Sequence, residues 1–200
     1  MWAKVESGSV TEIYTRPIQL TIGDTQYPKN IFNLWSKSEL EAIGIYEVEI
    51  DNTNLKDQGY YNNTVQSFSF GSGKVTASYG TATAMSLTDV LFTAQDETDG
   101  IGTEGEVKIT GLKSRHKASI NSQAASLLQK HDWMSIREAE GGTDMPSNIK
   151  TWRASVRTKA NEMCTQIDNA ANVDALAALY VYNSDNPPVR PLGEFPSEPS

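Results

Sequence analysis

His116, His131 and Cys164 are the residues whose types could bind a metal or attack a substrate. Neither histidine has a second histidine at ligand spacing, and no His-Glu-x-x-His occurs, so a zinc site is not expected. A Ser-His-Asp triad needs no adjacency in sequence. The Gly-x-Ser-x-Gly elbow that often presents its serine is absent. Both histidines read as surface or boundary residues. Cys164 follows Met163 in an apolar helical stripe, and no basic neighbourhood is visible that would lower its pKa. It reads as a half-buried structural thiol, and a lone cysteine forms no internal disulfide.

The acidic run from Gln95 to Glu106 invites a calcium reading. With Gly100 at the sixth position of an EF-hand loop, Glu97, Asp99 and Glu106 fall on ligand positions. The first position is then Gln95, where a carboxylate is required, and no helix-loop-helix pattern flanks the run. Gly100-Ile101-Gly102 lacks the third glycine of a dinucleotide loop. No metal or cofactor is therefore expected. A glycan hydrolase would need a carboxylate pair in a cleft, which spacing along the chain cannot establish.

The aromatic and arginine residues point to binding. Trp133, in His131-Asp132-Trp133-Met134-Ser135-Ile136-Arg137, reads either as a cap over a helical hairpin or as a partner-binding anchor. Trp152 lies in a helical stripe, where core packing is the plainer reading. Arg153 and Arg157 stand four apart on one helix, placed to meet carboxylates on a partner or simply to be solvated. Trp133, Trp152, Arg153 and Arg157 are the candidate partner-binding residues.

The formal net charge of −8 argues against general nucleic-acid binding, which needs an excess of Lys and Arg. No apolar run approaches a membrane span, and Met1–Glu6 lacks the apolar region of a secretory signal.

The elements that would carry these residues form an α+β chain. Residues 3–14 contain two strand-prone runs around Ser7-Gly8-Ser9, and residues 18–22 read as a further strand. Ser36 and Glu39 form a capping box flanked by Trp35 and Leu40 as a hydrophobic staple, with Gly44 as the stop. Tyr46, Val48 and Ile50 alternate with Glu47 and Glu49 as in a half-buried strand. Strands over 65–70 and 74–79 are joined at Gly71-Ser72-Gly73. Ile120, Ala124, Leu127 and Leu128 fall on one helical face. Ile149, Trp152, Val156, Ala160, Met163 and Ile167 form a longer stripe after Pro146, and residues 174–180 add a short helix. The expected organisation is a β-rich domain of short antiparallel strands and one small helix (1–92), an acidic Gly-rich linker (93–111), a domain built on a helical hairpin (112–182) and a Pro-rich tail (183–200).

Asp132-Trp133-Met134 with Arg137, then Pro146 and Trp152-Arg153-Ala154-Ser155-Val156-Arg157, resembles the C-terminal signature of bacteriophage tail-fibre assembly proteins. The N-terminal stretch resembles the leading part of related phage tail proteins. Its carriers are Trp2-Ala3-Lys4-Val5, Val10–Tyr14, Leu20–Gly23, Tyr27-Pro28, Ile31–Trp35 and Gly44-Ile45-Tyr46. The resemblance covers residues 1–50 and 112–170. Many family members finish soon after the arginine helix with a Trp-Pro segment. This chain instead continues through Tyr180-Val181-Tyr182 and Pro187-Pro188 to Gly193-Glu194-Phe195-Pro196.

The resemblance implies a non-enzymatic chaperone or accessory protein that binds a trimeric tail-fibre protein in the host cytoplasm. The alternative is a permanent virion subunit of the fibre or baseplate, contacting other tail subunits. An ordered Pro-rich tail would favour that alternative, since such a tail is expected to need a neighbour to hold it.

Overall fold

The structure, a computed structural model, describes residues 1–199; Ser200, the last residue of the expected tail, lies outside them. The fold is α+β, in two compact units that divide between Thr83 and Ala84.

The first unit is built on a five-stranded sheet. Its strands are β1 (Trp2–Glu6), β2 (Ser9–Tyr14), β5 (Ile45–Asp51), β7 (Ser67–Gly71) and β8 (Lys74–Ser78), in the order β2-β1-β5-β8-β7. A small hairpin, β3 (Leu20–Ile22) with β4 (Thr25–Tyr27), and two short helices, α1 (Ile31–Leu34) and α2 (Lys37–Ala42), come between β2 and β5. β6 (Tyr61–Asn62) is two residues long, and so is β9 (Thr83–Ala84), within which the division falls.

Alternation along the strands sends successive side chains to opposite faces. Trp2, Tyr14 and Ile45 join Leu20, Ile31, Phe32 and Leu40 in one core cluster. Their neighbours Ala3, Ile13 and Tyr46 join Val48, Val75, Ala77, Phe68 and Phe70 in another. The sheet thus has apolar clusters on both faces, and it curls until edge strands β2 and β7 come into contact.

The capping box forms as expected: Ser36 Oγ accepts from the Glu39 amide, and the Glu39 carboxylate accepts from the Ser36 amide at 2.7 Å. Trp35 packs on the cluster that holds Leu40. Gly44 adopts φ +79°, and a Cβ there would stand 3.0 Å from the Val5 carbonyl oxygen, so this stop requires glycine.

Three expectations for this part are corrected. There are two short helices, because Ile31 and Phe32 are buried by a single turn that precedes the capping box. Not every strand pair is antiparallel: β5 and β8 run parallel, from Val48↔Val75 to Asp51↔Ser78. The return between them, residues 52–73, is long enough to bring the chain back in the same direction. Ile50, expected to face the core, is exposed, as the buried stretch of β5 ends at Val48.

In the second unit, β10 (Val90–Leu91) pairs with β11 (Val107–Ile109) around α3 (Ala94–Thr98). Residues 93–111, expected to be a linker, therefore hold a capped helical turn and a strand. Thr93 and Asp96 form the capping box of α3, and Lys108 reaches Asp96 at 2.6 Å. Next come α4 (Leu112–Gln129), α5 (Asp132–Ala139), α6 (Ser147–Asn169) and α7 (Val173–Ala178). α4 and α6 pack side by side.

Every member of the α6 stripe, Ile149, Trp152, Val156, Ala160, Met163 and Ile167, is buried. Ile120 and Ala124 of α4 are buried with them. Lys117 pairs with Asp168 at 2.8 Å, and Lys113 donates to the Asp168 carbonyl at 2.8 Å.

The Pro-rich tail folds back on this unit. Leu192 is fully buried and its amide donates to the Leu179 carbonyl at 3.0 Å. The tail is thus held by its own chain, and no neighbour is needed to account for its order.

Candidate partner-binding surface

α5 connects the two long helices and carries Trp133. Asp132 sits in its first turn and Arg137 in its last, both favourable against the helix dipole. Trp133 and Ile136, three residues apart, are 54% and 59% exposed. The Arg137 guanidinium stacks on the Trp133 ring at 5.0 Å. Arg137 is itself anchored, since its Nε donates to the Thr143 carbonyl at 2.9 Å and its Nη2 to the Asp144 carbonyl at 3.4 Å.

The following loop approaches so closely that a Cβ on Gly142 would stand 2.8 Å from Arg137 Cγ. Glu138 pairs with Lys150 and fixes the far end of α5 to α6. The pairing also holds the Glu138 carboxyl below its ordinary range. The result is an exposed indole stacked against a braced arginine by a cation–π contact.

The other candidates divide. Trp152 is buried: its Nε1 donates to the Pro196 carbonyl at 3.1 Å, and the His131 ring meets it edge-on at 5.5 Å. Arg153 is buried as well. Its guanidinium donates to the Leu128 carbonyl, at the end of α4, and to Asp132 Oδ1 at 2.7 Å, at the start of α5. It therefore clamps the α4–α5 corner, joining the His131 amide, which also donates to the Leu128 carbonyl at 3.1 Å. Arg157 is exposed and makes no ion pair among the described residues.

Trp133 and Arg157 thus stay at the surface, while Trp152 and Arg153 are engaged within the chain. Arg153 and Arg157 do not present one charged face outward. Sequence held a signal for this: Arg153 stands four residues after Ile149 and beside Trp152, inside the border of the apolar stripe.

The tail closes over Trp152. Glu198 meets Lys130 Nζ at 3.0 Å and His131 Nε2 at 2.8 Å. Lys130 first, and His131 after it, hold the Glu198 carboxyl below its ordinary range.

His116 is half-buried against the Tyr180 ring at 4.7 Å, and burial, with Arg115 nearby, pushes its pKa down. Cys164 is half-buried 3.8 Å from Asn121 Oδ1, and burial pushes its thiol up. Among the described residues, no three His, Cys, Asp or Glu side chains are grouped to hold a metal ion. In the Gln95–Glu106 run, Asp96 caps α3 and Asp99 accepts from Gln95 at 2.8 Å. No helix among the described residues is long and apolar enough to cross a membrane.

No known family model matches this chain, and neither a curated protein nor a solved structure matches it.

Proposed function

We propose that this protein is a non-enzymatic assembly factor that binds a phage tail-fibre protein and assists its folding or trimerisation. The observation that carries the reading is the braced, exposed Trp133 beside Ile136 on α5. Trp133 and Arg137 belong to the segment on which the resemblance to tail-fibre assembly proteins rests. An exposed aromatic residue next to an exposed aliphatic side chain is the kind of feature that dominates protein–protein binding energy.

Tail-fibre tips are intertwined β-rich trimers, which fold slowly and expose strand edges while they do so. A partner that covers apolar surface during that interval suppresses aggregation without any chemical step.

Co-expression with the fibre gene of the same genome tests the proposal. Soluble, trimeric fibre should form with this protein and fall several-fold without it. Fibre that folds and trimerises equally well alone would overturn the assembly role.

A further inference from the structure

The ribbon of β10 and β11 carries a set of exposed aliphatic side chains. Its cross-strand pairs are Val90↔Ile109 and Leu91↔Val107, with a bulge between them that leaves Lys108 unpaired. Val90, Leu91, Val107 and Ile109 are all exposed, as is Ile101 in the connecting loop. Among the described residues neither strand pairs with a third, so both edges are open. Phe92 is packed locally: Gly102 lies against its ring, and Lys108 stands over it at 5.6 Å. The ribbon is thus firmly built yet apolar outside, which natural proteins rarely leave unprotected.

Its rim has one sign. Lys108 is the sole basic residue between Ala84 and Gly111, and Asp96 takes it. Glu97, Asp99, Glu104 and Glu106 lie within salt-bridge distance of no cation among the described residues. Two copies of this ribbon would bring these carboxylates together, so like charge opposes self-pairing. The complement of the surface is a strand with apolar residues and cations.

We infer that the β10–β11 ribbon is a docking site for an extended segment of a partner protein in which aliphatic residues alternate with lysine or arginine. The segment adds as a strand along the outer edge of β11. Its backbone pairs with the ribbon, its aliphatic side chains cover Leu91, Val107 and Ile109, and its cations meet Glu104 and Glu106. The site stands on the ribbon's geometry and does not require the partner to be a fibre.

The test titrates the full chain with three fluorescent ten-residue probes, read by anisotropy. One alternates Val and Lys, one alternates Val and Glu, and one replaces alternate Val of the first by Pro, which cannot donate a ladder hydrogen bond. The Val-Lys probe should saturate and bind at least tenfold more tightly than either of the others. Its titration should shift ribbon amide resonances in NMR spectra. Glu104→Gln with Glu106→Gln should weaken it several-fold and leave the fold intact, since both side chains are exposed. Val107→Lys should abolish it. No saturation by the Val-Lys probe would overturn the inference, as would equal binding of the Pro-containing probe. A concentration-dependent dimer that Val107→Lys dissociates would also overturn it, because a second copy would then be the occupant.

Discussion

Two antiparallel strand pairs of the chain, β7–β8 and β10–β11, have opposite fates. In β7–β8, Ser72 and Gly73 both adopt positive φ, the tight two-residue turn that matches strand twist. This hairpin then joins a sheet, where Val75 and Ala77 become fully buried. The β10–β11 ribbon, whose strands are joined through α3, pairs with no third strand among the described residues, and Val107 and Ile109 stay exposed. Two tryptophans in the helical region repeat the contrast, with Trp152 sealed under the tail and Trp133 open. Apolar residues are therefore of two kinds here, those buried in the fold and those left at its surface.

The widest separation is expected at the tryptophans. Trp152→Ala should cost about 4 kcal/mol, because it opens a cavity and frees the tail's Pro196 contact. Trp133→Ala should cost about 1 kcal/mol or less, the worth of an exposed cation–π contact. Urea unfolding followed by circular dichroism measures both, and equal losses would erase the contrast. The valines should show the same ordering on a smaller scale. Val75→Ala is expected to cost about 2 kcal/mol and Val107→Ala no more than about 0.5 kcal/mol. A large loss at Val107 would make the ribbon a part of the core.

Local signals made most of the elements legible beforehand. The α6 stripe, the Ser36–Glu39 capping box, the turn at Ser72-Gly73 and the Gly44 stop are each set by residues within one or two turns of one another. What stayed hidden was non-local or too short to show a period. The parallel pairing of β5 with β8 depends on the route of residues 52–73. Leu192 is buried only because the tail folds back. The polar strand Thr25–Tyr27 has no pattern of its own. Thr93 and Asp96 did spell a capping signal, but the surrounding glycines and acids outweighed it in a reading by composition. At the candidate surface, Trp133 could be singled out from type and position. The burial of Arg153 depends on Leu128 and Asp132, residues at a corner that only the tertiary fold creates.

Acid should affect the ribbon in a defined window. Lys108 first, then the Thr93 amide and hydroxyl, lower the Asp96 pKa to about 2. A carboxylate depressed in the fold stabilises it above the unfolded pKa of about 4, and that support is lost as pH falls toward about 2. Hydrogen-exchange protection factors at β10 and β11, taken relative to the intrinsic rates at each pH, should fall across that interval, and Asp96→Asn should remove the pH step. A step at the same pH in the variant would assign it to another group. The smallest effect concerns Cys164. Its raised pKa should make reaction with a disulfide reagent at neutral pH slower than that of an unfolded control. A faster reaction would contradict a structural role for the thiol.

Direct titration calorimetry of this protein against the purified fibre trimer of the same genome bears most closely on partner binding through α5. Saturable binding should be seen, weakened at least tenfold by Trp133→Ala in a variant whose circular dichroism is unchanged. Absence of binding, or the same affinity with Trp133→Ala, would contradict it.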